Sequence, residues 1–127
     1  MALTSFQTDE AISAGNLVFL TSTGLIKKAI ATVKEQASVI GVALDSGTTG
    51  NLIRVNTDAI YSNFSALTPG NVQYLSIASS GSLVDYPSWQ TQLNALSASG
   101  AFLTQVGRAI STTSVEIEIS KPIYVIK

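Results

Sequence analysis

The chain has 127 residues, a formal net charge of −1 and neither histidine nor cysteine. Those two absences exclude Ser-His-Asp and Cys-His catalysis, histidine acid–base chemistry, Cys/His zinc sites, thiol redox chemistry and disulfides. The near-neutral balance speaks against a nucleic-acid partner, whose expected footprint is a basic patch.

With a mass of 13.3 kDa the chain reads as one domain, with a folded surface expected near roughly 6,400 Å². Hydrophobic residues make up 46% and charged residues 12%, about half the usual charged share of ~25%. The 17 Ser and 13 Thr must therefore cover surface that ions normally cover. Hydroxyls lose less than ions on burial, so such a surface suits packing against copies of something. No apolar run approaches the ~18 residues of a membrane span, and MALTSFQTDE lacks a basic leader region. A soluble chain without a targeting segment or membrane partner is expected.

Strand signals dominate in chain order. Asn16 to Thr21 is an apolar run closed by the Ser22-Thr23-Gly24 turn, and Leu25 to Val33 continues as a second extended segment, with a possible break near Thr32. Ser38 to Leu44 places Ile40, Val42 and Leu44 on one face, with Gly41 and Ala43 forming a flat opposite face. After the Asp45–Gly50 turn, Asn51 to Val55 alternates, and Ala59 to Phe64 suggests another strand. Gly70 to Leu75, Leu83-Val84, Thr104 to Ile110 and Val115 to Ile119 follow as strands. Pro122 precedes Ile123 to Ile126, which reads as an edge or partner-paired strand. One helix is predicted at about 88–98, because Trp89, Leu93 and Leu96 fall at i, i+4 and i+7.

The two halves match. Ala14-Gly15-Asn16-Leu17-Val18-Phe19-Leu20 corresponds to Pro69-Gly70-Asn71-Val72-Gln73-Tyr74-Leu75, and Ile40-Gly41-Val42-Ala43-Leu44 to Val106-Gly107-Arg108-Ala109-Ile110. The fold class expected is all-β: a β-sandwich or barrel of two pseudo-repeated halves, about 11–60 and 66–120, within a single domain over 11–127. Residues 1–10 are expected to form an N-terminal arm, with Leu3 and Phe6 as its docking anchors.

These repeated pieces, together with Gly24-Leu25, Leu67-Thr68 and Gly81-Ser82-Leu83, resemble small virion proteins of tailed bacteriophages over roughly residues 11–120. Capsid decoration, or cement, proteins look like this, and similar modules occur in tail fibres and receptor-binding tips. The resemblance implies a β-sandwich or barrel that assembles as a homotrimer on the outside of a capsid. Its partners would be itself and the major capsid protein, and its location the virion surface after synthesis in the host cytoplasm. Fibre modules usually sit inside long chains, so the length favours a decoration protein.

No enzyme, cofactor or metal is expected. Glu116 and Glu118 stand two apart on one strand face, a spacing that could serve glycoside hydrolysis, but a solvated outer face is the simpler reading. Asp45, Asp58 and Asp85 lack calcium-loop spacing, and Gly47 to Gly50 lacks the lysine of a phosphate loop. Trp89, Tyr61, Tyr74, Tyr86 and Tyr124 could stack on sugars, which the alternative function, a tail-fibre or adhesin domain binding a host surface glycan, would need. Core or subunit-contact roles are the simpler reading, because none cluster in sequence. The interface candidates are Leu3, Phe6, Arg108, Ile123, Tyr124 and Val125. Arg108 stands where the first half has Val42, on the face of Val106 and Ile110, and is expected either to pair with Asp85 or with an acid of another subunit, or to sit on a solvated edge with its stem covering the core.

Overall fold

The structure, a computed structural model, describes residues 3–127. The fold is all-β and sandwich-like, with twelve strands and one short helix among the described residues. Strands β1 (Leu3–Gln7), β2 (Leu17–Leu20), β3 (Ile26–Lys28), β4 (Val39–Ala43) and β5 (Leu52–Asn56) form a first sheet in the order β1-β5-β4-β2-β3. Strands β6 (Ile60–Ser62), β7 (Val72–Leu75), β8 (Leu83–Val84), β10 (Gln105–Ala109) and β11 (Ser114–Ile117) form a second in the order β6-β11-β10-β7-β8. Between β8 and β9 lies helix α1 (Tyr86–Ala95). Strand β9 (Gly100–Leu103) pairs with β12 (Ile123–Ile126) as a separate two-stranded sheet.

The two larger sheets have one topology, used twice. Strand by strand, β1, β2, β3, β4 and β5 occupy the places of β6, β7, β8, β10 and β11. The turns agree at the level of single hydrogen bonds. Gly15 N–H donates to Ala43 O at 2.8 Å and Gly70 N–H to Ala109 O at 2.7 Å, while the Ala43 and Ala109 N–H groups return to Asn16 O and Asn71 O, each at 2.9 Å. Gly15 and Gly70 sit at φ +93° and +91°, a left-handed backbone that favours glycine. Both β2–β4 and β7–β10 also carry a register shift, between Val18 and Phe19 in one and between Gln105 and Gly107 in the other.

The halves differ in which faces they bury. Val18, Ile26, Ala43, Ile53, Val55 and Ile12 form a small cluster inside the first half. A larger cluster runs between the sheets: Leu17, Phe19, Val39 and Val42 from the first half share it with Tyr61, Leu75, Val106, Val115 and Ile117 from the second. Strand β4 is therefore buried on both faces, with Val42 and Ala43 both at 0% exposure. Ile40 packs with the small cluster and Val42 and Leu44 with the large one, so the single face expected for these three is split by the register irregularity beside Ile40.

Helix α1 starts two residues earlier and ends three residues earlier than the spacing predicts. Asp85 caps it by accepting from Ser88 N–H at 3.1 Å, and Pro87 sits in the first turn, where no backbone donor is needed. Trp89 and Leu93 are buried as the spacing requires, while Leu96 is the extended C-cap. The segment expected as an arm is different. Residues 3–7 are strand β1, paired with β5 from Leu3↔Asn56 to Gln7↔Leu52, and buried Thr8 donates its hydroxyl to Thr48 O at 2.6 Å. Met1 and Ala2 lie outside the described residues. The second extended segment, expected over Leu25 to Val33, shortens to β3, because the chain turns at residues 31–37.

Candidate interaction surface

Apolar side chains reach solvent at several places, Leu20, Val33 and Leu52 among them, and two such surfaces carry residues singled out from the sequence. The first is the β9–β12 ribbon. Pro122 removes a backbone donor just before β12, whose four residues then pair with β9 from Ile123↔Leu103 to Ile126↔Gly100. Val125 turns inward against the main cluster, while Ile123, Tyr124 and Ile126 remain 61%, 48% and 78% exposed. Tyr124 packs edge-on to Phe102 at 5.1 Å and lies over Gly100, where a Cβ would come within 2.8 Å of its ring. Lys127 Nζ donates to Leu96 O, tying the chain end to the helix end. The strand expected to need a partner edge thus has one on its β9 side within the same chain.

The second surface is the outer face of the second sheet. Register places Ile60, Glu116, Arg108 and Val72 side by side across β6, β11, β10 and β7. Arg108 and Glu116 are exposed, Ile60 is 53% exposed, and Ile110, two residues beyond Arg108, is 48% exposed. The expected pairing of Arg108 with Asp85 does not occur. The register shift between Gln105 and Gly107 sends Val106 inward and Arg108 outward, so plain alternation assigns the arginine a buried face it does not have. Asp85 is occupied at the helix cap, and Arg108 has no ion-pair partner within the chain among the described residues.

The other interface candidates divide between core and surface. Phe6 is half-buried against the first-half cluster, so it anchors β1 to its own sheet. Leu3 contributes its backbone to β1, and its side chain lies outside what the structure describes. Glu116 and Glu118 are both exposed and Val115 and Ile117 both buried, as the simpler reading of that strand requires. No grouping of three or more potential metal ligands occurs among the described residues.

Two further features could not be assembled from spacing alone. Asp45 and Arg54 form a two-pronged ion pair, with Arg54 Nε and Nη2 donating to the carboxylate at 3.0 and 2.8 Å. Those guanidinium bonds, joined by the Arg54 backbone N–H at 2.9 Å, hold the Asp45 carboxyl down at about 2. The aromatic residues, scattered in sequence, also gather. Tyr86 stacks on Trp89 at 6.2 Å and meets Tyr74 edge-on at 5.9 Å. Tyr74 and Tyr86, with Asn71 and Asp85, line a cleft of about 360 Å³.

Compared with known proteins, the chain matches no family model and no curated protein sequence. No helix among the described residues is long and apolar enough to cross a membrane.

Proposed function

We propose that this protein is a structural component of a tailed-bacteriophage particle, seated in many copies on the outside of the capsid and binding both itself and the major capsid protein. The resemblance of the repeated Gly-Asn turns and Val-Gly-x-Ala strands to decoration proteins supports this reading. The observation that carries it is the exposed apolar sheet surface, Ile60 and Ile110 on one sheet and Ile123 and Ile126 on another, set in a surface poor in charge. Hydroxyl-rich surfaces of this kind release water at low cost, which suits packing against a protein lattice. The role is mechanical, with no cofactor and no catalytic group assigned. Quantitative mass spectrometry of a purified particle tests the reading. Hundreds of copies per particle are expected; a handful would overturn it in favour of a fibre component.

A second reading, a domain that binds host-surface saccharide, is favoured by the Tyr74–Tyr86 cleft. Aromatic faces pack against sugar rings while Asn71 and Asp85 offer hydrogen-bond partners for hydroxyls. Trp89, the single tryptophan, stacks on Tyr86 and makes a fluorescence titration with host-surface oligosaccharide the direct test. A saturable change that Tyr86→Ala abolishes would favour this reading over the first.

A further inference from the structure

The duplicated topology pairs the strands of one sheet with those of the other, and the equivalent faces of the two sheets have opposite fates. In the first sheet the row Leu3, Asn56, Val42, Leu17 crosses β1, β5, β4 and β2. Val42 and Leu17 are 0% exposed in the cluster shared with the second half, and Asn56 is 2% exposed, its Oδ1 accepting from the Asp58 and Ala59 N–H groups. The counterpart row in the second sheet is Ile60, Glu116, Arg108, Val72. There is no third half to cover it. Helix α1 shields Tyr74, the counterpart of buried Phe19, while in the row itself Ile60, Glu116 and Arg108 are exposed and Val72 is half-buried.

We infer that this face is closed by a second copy of the chain, the two second sheets packing face to face about a two-fold axis that runs along the strands between β10 and β11. The order of the row supplies the warrant. Rotation about that axis places Arg108 of one copy over Glu116 of the other, twice, and Ile60 over Val72, twice. The row is self-complementary in charge and in apolarity, as an isologous contact requires. Arg108 and Glu116 occupy directly opposed cross-strand positions, and Arg108 has no ion-pair partner among the described residues, so its guanidinium can reach a carboxylate across the contact. Aligned packing of twisted sheets at ~10 Å is an ordinary sandwich geometry. The four-strand face spans only about 20 Å by 14 Å, so the contact belongs to the small and weak class. Such a contact suits molecules already held at high local concentration on a surface.

The test is the mass of the species in solution by sedimentation velocity, at protein concentrations up to about 500 μM in low salt, where surface charge pairs are least screened. An even-numbered species is expected for the natural sequence. Arg108→Glu and Glu116→Arg should each halve its mass by setting like charges against each other, and the double exchange should restore it. Raising the salt to about 1 M should act like the single changes. All the changed residues are exposed, so the melting temperature of each variant serves as a folding control. A natural sequence that stays monomeric, or is trimeric, overturns the two-fold contact. So does an even-numbered species that ignores both single reversals. Neither result bears on copy number in the particle, which tests the proposed function separately.

Discussion

Placing a methyl group on Gly107 perturbs the fold at its tightest strand crossing. A Cβ there would lie 2.0 Å from Glu116 O and 3.0 Å from Val115 Cγ1, against an ordinary contact of 3.4 Å or more. The overlap is therefore roughly 1.4 Å, and the obstructing atom is backbone, which cannot rotate away. Strands stand about 4.8 Å apart, so opening β10 from β11 by that much carries the adjoining N–H···O bonds beyond bonding distance. Two lost bonds at about 1 kcal/mol each, added to an overpacking cost of 1–3 kcal/mol, give about 3–5 kcal/mol for Gly107→Ala. Gly41, its counterpart, meets Asn56 O at 2.3 Å and should cost somewhat less. Gly50→Ala is the control: φ is +88° with nothing within 4 Å, so only the left-handed backbone penalty of about 1 kcal/mol applies. Urea unfolding followed by Trp89 fluorescence reads all three as midpoint shifts at constant slope. A Gly107→Ala protein no less stable than Gly50→Ala would refute the close-approach reasoning.

Removing residues 1–10 takes β1 from the first sheet and the Thr8–Thr48 bond with it, so a chain starting at Ala11 should lose about 3 kcal/mol or more, roughly a 10 °C fall in melting temperature. An unchanged melting temperature would mean that β1 is dispensable to the sheet. Gln92 Oε1 accepts from Ile77 N–H at 2.8 Å and from Ser76 Oγ at 3.2 Å. Gln92→Leu should therefore cost about 1–3 kcal/mol, by leaving the amide of buried Ile77 unpaired, while Gln92→Glu retains the acceptor and most of the stability. Asp45 should titrate near 2 in carboxyl NMR and move upward in Arg54→Met. Because its folded value lies below the ordinary 3.8, the stability it contributes is complete above about pH 4 and is lost as pH falls through about 2. An Asp45 that titrates at 3.8 in the natural sequence would remove the ion pair from the account.

The parts of the fold legible in sequence are those where the backbone requirement forces a residue type. Left-handed turns at residues 15 and 70 require Gly, and close strand approach at 41 and 107 requires it again, so the duplication is written in those four positions and their neighbours. Val115 to Ile117 is equally plain, since one face is buried and the other wet. Strand β9 was not legible: Gly100-Ala101-Phe102-Leu103 has no alternation, and its extended form comes from pairing with β12 some twenty residues away. The register shift before Gly107 was equally hidden, because a one-residue bulge reverses every later face while leaving the composition unchanged. That single residue moved Arg108 from an expected buried pair to an open sheet surface. The aromatic cleft escaped for a related reason, as Tyr74 and Tyr86 are brought together by the β7–β8 pairing and the helix cap at Asp85.

What the duplication holds constant and what it lets vary separate scaffold from surface. Both halves keep the glycines, the turn hydrogen bonds and the strand order, all of which the backbone alone demands. The side chains that differ follow what covers them. Val42 becomes Arg108 and Asn56 becomes Glu116 where the covering half is missing, whereas Gln73, in the place of Val18, stays buried and its amide reaches Asn71 O. The apolar members of the exposed row resist the change: Leu17 becomes Val72, and Ile60 stands opposite Glu116 at 53% exposure. A face adapted only to water would have no use for them, since each exposed aliphatic side chain forgoes about 1.5–3 kcal/mol of burial. A row that alternates charge with retained aliphatic groups is the composition of a surface that is wet in the monomer and covered in an assembly.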